Sequence, residues 1–123
     1  MKHLILVFFG GGLGSVLRFT FSKIFQTVPG EFPLGTFTVN VLGCLFIGVL
    51  MGFGTKLEAF SENQSLLLIT GFCGGFTTFS AFTAENQVFL KSGAYLQFGI
   101  YTTASILLGI TALLIGMFIA KQI

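Results

Sequence analysis

The residues able to do chemistry in this sequence are few, and they lie where polar groups are least expected. Between Gly71 and Glu85 the chain reads Gly-Phe-Cys-Gly-Gly-Phe-Thr-Thr-Phe-Ser-Ala-Phe-Thr-Ala-Glu, three glycines and a run of hydroxyls inside an apolar segment. On a helix restarted at Thr77 to Phe79, Phe79, Phe82, Thr83 and Asn86 share one arc about 100° wide, with Ser80 beside it and Glu85 on the other flank. That face combines aromatic ring edges, which are electropositive, with hydroxyl and amide donors. Such groups replace the hydration of a small hard anion without a full positive charge that would trap it, and conduction needs release as well as binding. The glycine stretch before them points elsewhere. Its unwound backbone presents carbonyl oxygens, which suit a hard cation such as Na⁺ or Ca²⁺. A fixed cation there would raise the positive potential felt by a passing anion.

Two further polar positions lie at similar depth. Asn40 carries two N–H donors and one acceptor, with Thr36 one turn before it on the same face. It reads either as a pore donor or as a helix–helix hydrogen bond. Arg18 follows a long apolar stretch but stands close to Lys23, so it is either a snorkelling anchor or a positive charge at the mouth of an anion path. Cys44 and Cys73 lie in apolar runs and read as small packing residues, and the single histidine, His3, is terminal.

Positioning these groups requires a membrane. The chain has 123 residues, 54% of them hydrophobic and only 8% charged, too much apolar surface for so short a soluble globule. A net charge of +2 with scattered basic residues excludes a nucleic-acid partner. Spans of about 20 apolar residues fit four times, at Leu4 to Phe25, Gly35 to Gly54, Leu66 to Leu90 and Leu96 to Ala120. The fold expected is one all-α domain over residues 1–123, with four transmembrane helices and the third broken near its middle. The basic start followed by Leu4 to Leu13 has the look of a signal peptide, but it lacks a small-x-small cleavage site and reads as a retained first span. Ser61 with Gln64 forms a capping-box pattern before the third span. Gly10 with Gly14, and Gly48 with Gly52, are small-xxx-small pairs, read first as helix packing within one subunit.

Four spans put both termini on one side. That side carries Lys2, Lys56 and Lys121; the other carries Lys23 and Lys91, with Arg18 near it. So small a Lys/Arg bias leaves orientation undetermined, and copies inserted both ways would pair as an antiparallel dual-topology dimer. The alternative is a fixed orientation set by other factors.

Three ordered motifs carry a resemblance over nearly the whole chain: Gly10-Gly11-x-x-Gly14-x-x-x-Arg18, Gly35-Thr36-Phe37-x-Val39-Asn40-x-x-Gly43, and Gly74-Gly75-x-x-Thr78-Phe79-Ser80-x-Phe82 followed by Glu85. In these the sequence resembles the Fluc (CrcB) family of fluoride-specific channels. The resemblance implies a channel and not an enzyme: an antiparallel homodimer in a bacterial plasma membrane, with two pores along the interface that let fluoride leave the cytoplasm passively. It implies that Asn40, Phe79 and Phe82 line the pore. A central structural Na⁺ would be held by backbone carbonyls of Gly74 and Thr77 from both subunits. Ser80 and Thr83 match polar-track hydroxyls, Glu85 its acidic neighbour, and Thr36, Tyr101 and Ser105 further lining residues. Ala81 and Gly109 stand where some members place hydroxyls, which thins the track.

Two other functions compete. A proton-coupled small multidrug exporter is also short, four-spanning and dual-topology, but it needs a deep carboxylate, normally on the first span, and Glu85 is the only acid in any span here. A non-transporting membrane assembly subunit is the other.

Overall fold

A computed structural model describes residues 1–123 apart from Thr27, Glu58 and Ala59 and the side chains of Thr55, Lys56 and Leu57. Lys56, counted in the charge balance above, therefore lies outside the described side chains. The described residues form helices joined by short connections and contain no strand: α1 is Lys2–Ile24, α2 Leu34–Leu57, α3 Glu62–Ser65, a π-helical segment Leu66–Cys73, α4 Gly74–Phe76, α5 Phe79–Lys91 and α6 Tyr95–Gln122. Four stretches are long and apolar enough to cross a membrane, Lys2–Ile24, Leu34–Gly54, Glu62–Lys91 and Tyr95–Gln122. The boundaries expected from sequence hold within a few residues, except that the third span starts earlier. There Ser61 accepts from the Gln64 N–H and the Gln64 side chain accepts from the Ser61 N–H, the reciprocal cap its spacing predicts.

The chain turns between spans where glycine permits it. Gly30 (φ 96°) lies in the α1–α2 connection and Gly93 (φ 74°) closes α5, both in the left-handed region that side chains disfavour.

Two helix pairs make the body. α2 lies along α6, and α1 lies along the π segment and α4. Both pairs depend on glycine for close approach, since lipid supplies no hydrophobic force between helices and packing must do it. A methyl group at Gly10 would run into the Leu67 carbonyl, and one at Gly14 into the Phe72 carbonyl. Gly48 meets the Leu113 carbonyl, Gly116 the Leu45 carbonyl, and Gly52 faces Met117 and Ala120. The small-xxx-small pairs thus serve contacts within one chain.

The third span changes partner partway through. Its upstream portion packs on α1, whereas α5 leans on α6. The break between them falls at Thr77 (φ −83°, ψ 158°) and Thr78 (φ −149°, ψ 125°), both extended. This corrects the sequence expectation that the glycines unwind, while the restart expected at Thr77 to Phe79 holds. Gly71, Gly74 and Gly75 are helical, and the helix resumes at Phe79. The physical reason is that Gly71 and Gly75 are used for contact: a methyl at Gly75 would strike the Gly11 carbonyl, and Gly71 lies against Gly10.

Candidate ion-conduction site

An extended pair of residues at membrane depth leaves backbone donors and acceptors that no helix satisfies. α2 supplies what is missing. The Asn40 amide closes on the Thr78 backbone from both sides, its Oδ1 accepting from the Thr78 N–H at 2.8 Å and its Nδ2 donating to the Thr78 carbonyl at 3.0 Å. One turn on, Gly43 has no side chain where the Thr77 methyl sits. Of the two readings of Asn40, the helix–helix bond is therefore made. One N–H of the amide is left over, because Nδ2 carries two.

Thr78 also starts α5. Its hydroxyl accepts from the Ala81 N–H at 3.3 Å and lies 3.2 Å from the Ser80 hydroxyl. The Phe79 ring points away from the core, while the Phe82 ring is half-buried. Phe79 is 78% exposed, and its centroid is 5.7 Å from that of Phe82. Asn40, Cys44, Thr77, Thr78, Phe79, Phe82 and Ser105 line one cavity of about 280 Å³. Within it the Ser105 hydroxyl is buried and has no hydrogen-bond partner among the described residues.

A second polar cluster begins where the first ends. The Phe82 ring lies 5.1 Å from that of Tyr101, which is fully buried. The Tyr101 hydroxyl donates to Glu85 Oε2 at 2.7 Å, and Thr36 donates to Glu85 Oε1 at 2.6 Å. One carboxylate thus ties α2, α5 and α6 together. Glu85 also borders a cavity of about 280 Å³ under the α1–α2 connection, together with Glu31 and Pro33.

The residues singled out from sequence therefore fall into two groups and a remainder. Asn40, Phe79, Phe82 and Ser105 gather around Thr78, and Thr36, Tyr101 and Glu85 form the second cluster. Thr83 is exposed and donates to the Phe79 carbonyl at 2.9 Å, and Ser80 is exposed beside Thr78. Arg18 is half-buried on α1, one turn past Ser15, whose hydroxyl reaches the Gly75 carbonyl at 3.5 Å; it does not line the cavity with Asn40. Asn86, on the same predicted arc as Phe79, is only 6% exposed; it donates to the Phe82 carbonyl at 3.1 Å and accepts from Thr102 at 3.1 Å. It belongs to the α5–α6 contact and not to the open face.

Gly74 and Thr77 sit on either side of the helix end. The Thr78 N–H would close the next turn on the Gly74 carbonyl, but it donates to Asn40 instead. Gly74 is exposed, and a side chain there would meet nothing within 4 Å beyond its own turn of helix. Among the described residues no group of three or more His, Cys, Asp or Glu could hold a metal. A cation here would have backbone oxygens as its ligands.

Sequence reasoning missed Thr78 as the anchor of the break and Thr102 as the partner of Asn86. A threonine just before an apolar helical run is a helix-start signal. The pairing of its backbone with Asn40, 38 residues away, leaves no local trace.

Four helices long and apolar enough to cross a membrane, with a polar, aromatic-faced break in the third, define a multi-pass membrane protein. The family model described as "CrcB-like protein, Camphor Resistance (CrcB)" matches residues 5–117. The chain is 43% identical over 122 residues to the fluoride-specific ion channel FluC of Azobacteroides pseudotrichonymphae genomovar. CFP2, covering 98% of each chain. It is 43% identical over 122 residues to that of Phocaeicola vulgatus, covering 98% of this chain and 100% of the relative. With that of Flavobacterium psychrophilum it shares 44% identity over 124 residues and the full length of both. The chain belongs to the CrcB family.

Proposed function

We propose that this protein is a fluoride channel of the cell membrane, letting fluoride leave the cytoplasm passively and so limiting its toxicity. One observation carries the reading: the Phe79 and Phe82 rings, a spare Asn40 N–H and the unpartnered Ser105 hydroxyl meet in one cavity of a membrane-spanning chain. Its relatives bear the name fluoride-specific ion channel. Fluoride is small and strongly hydrated, so a path must return hydrogen bonds where water is stripped away. Hydroxyl, amide and ring-edge donors do this without a cationic trap.

On this reading Phe82 hands the ion from the Asn40–Ser105 cavity towards the Tyr101–Glu85–Thr36 cluster, with Ser80 and Thr83 as hydroxyls along the track and Arg18 as a positive charge near one mouth. The functional unit is an antiparallel homodimer of oppositely inserted copies. Exposure of the Phe79 ring in a single chain and the near-balanced basic residues support that pairing. The Gly74 and Thr77 carbonyls, two from each copy, fit a structural Na⁺, since the hydrogen-bond donor that would have taken the Gly74 oxygen is diverted to Asn40. Na⁺ would supply a fixed positive charge beside the path.

The exporter reading lacks its carboxylate. α1 has no acid, and both oxygens of Glu85 are engaged by hydroxyls. Liposomes loaded with KF and treated with valinomycin, followed with a fluoride electrode, test the proposal. Rapid fluoride efflux without a proton gradient is expected. Proton-driven cation uptake, or no flux of either kind, would overturn it.

A further inference from the structure

Thr78 lies in the centre of the break, only 9% exposed, and uses every polar group it has. Its N–H and carbonyl are held by Asn40, and its hydroxyl oxygen accepts from the Ala81 N–H. That hydroxyl has one proton left, and its nearest acceptor is the Ser80 oxygen at 3.2 Å. A hydroxyl that accepts from a backbone N–H is polarised to donate onward. Donation to Ser80 leaves the proton of Ser80 unused on an exposed residue next to Phe79.

We infer that Thr78 is a positioning residue for ion passage, acting through Ser80. Accepting from the Ala81 N–H, its hydroxyl turns the Ser80 O–H outward, as a donor on the open face beside the cavity. Two consequences separate this from a purely structural role. The hydroxyl is what matters, so serine should replace threonine. The effect also runs through Ser80, so removing Ser80 should make the identity of residue 78 nearly irrelevant to flux. The inference rests on the channel reading above, because its readout is fluoride flux.

The experiment is a double-mutant cycle in KF-loaded liposomes, with Thr78→Val, Thr78→Ser, Ser80→Ala and Thr78→Val/Ser80→Ala, each checked for an intact dimer by size-exclusion chromatography. Thr78→Val should lower fluoride flux about fivefold, the factor that loss of one hydrogen bond corresponds to. Thr78→Ser should stay within about threefold of wild type, and the double variant should fall no further than the lower single. Wild-type flux in Thr78→Val, equal losses in Thr78→Ser and Thr78→Val, or multiplicative losses in the double variant would each overturn the inference. If Thr78→Val does not assemble, Thr78→Cys keeps a similar volume with a far weaker acceptor. Its flux should then be low, and flux equal to that of Thr78→Ser overturns the role. Absence of flux from the wild type would instead defeat the channel reading itself, which keeps the two failures apart.

Discussion

Asn40 offers the sharpest test of how this fold holds its break. Its amide satisfies the Thr78 N–H and carbonyl at 2.8 and 3.0 Å, and Asn40→Ala leaves both groups unpaired at membrane depth. A buried group that loses its partner costs about 1–3 kcal/mol, so two such groups set an upper range of about 2–6 kcal/mol. Interhelical hydrogen bonds measured in membranes average about 0.6 kcal/mol, because freed groups find other partners, which sets a floor near about 1 kcal/mol for two. Here the floor is hard to reach. Gly43 on one side and the Phe79 and Phe82 rings on the other offer no substitute donor or acceptor of their own side chains. A loss of about 3 kcal/mol is therefore expected.

Thermal unfolding of the purified protein in detergent, followed by circular dichroism, measures the effect, and fluoride efflux from liposomes runs in parallel. Asn40→Ala should lower both the melting temperature and the flux. Asn40→Asp keeps the acceptor for the Thr78 N–H but sets a second oxygen against the Thr78 carbonyl. A protonated carboxyl donates where the amide did, so the deficit of Asn40→Asp relative to wild type should shrink as pH falls. If Asn40→Ala abolishes flux while melting unchanged, Asn40 is only a pore donor and the clamp argument fails.

Replacing Phe79 with Ile should cut flux at least about tenfold while changing stability by less than about 0.5 kcal/mol, as expected for a ring exposed in the single chain; wild-type flux would remove Phe79 from the path. Phe82→Ile should lose flux and also about 0.5–1.5 kcal/mol, because its ring touches both Phe79 and Tyr101. Gly48→Ala should cost about 1–3 kcal/mol against the Leu113 carbonyl, whereas Gly99→Ala, with open space around it, should be neutral or slightly stabilising; the two melting temperatures decide this. Rigorously Na⁺-free buffer should weaken flux or dimer assembly, and unchanged behaviour in both would count against a cation on the Gly74 and Thr77 carbonyls.

The four spans were legible because a bilayer imposes length and hydropathy on every crossing helix, and the residues at their ends supply few exceptions. Paired glycines announced close helix contact for the same reason. What the sequence concealed was the division of labour among the glycines and threonines of the third span. A Gly-rich stretch reads as a place to unwind, but Gly71 and Gly75 are occupied by backbone from α1, which keeps that stretch helical. The unwinding passes to Thr77 and Thr78, β-branched residues at ease in extended backbone, and only once α2 presents Asn40 and Gly43 beside them. Likewise Thr36, Tyr101 and Glu85 read as separate polar residues on three spans. Their convergence on one carboxylate depends on how α2, α5 and α6 meet, and no spacing within a span encodes that.

On the proposed reading, the position of the break explains how one segment would serve two opposite charges. A helix ends with carbonyls uncovered and begins with N–H groups uncovered, and each end carries the matching partial charge. From Glu62 to Phe76 the chain is helical and ends in carbonyls; from Phe79 it is helical again and begins with N–H groups. Had the glycines unwound, these two ends would stand several residues apart, with a stretch of loosely held backbone between them. With only Thr77 and Thr78 between them, the negative end lies directly against the positive one, and Asn40 screens each from the other by binding the residue in the middle. On the proposed reading the carbonyl side would meet the cation, while the N–H side, with Phe79 and Ser80, would meet the anion. Lengthening the break by even one residue would separate these ends and leave a further backbone N–H and carbonyl that Asn40, already bonded on both sides to Thr78, has only one N–H left to satisfy.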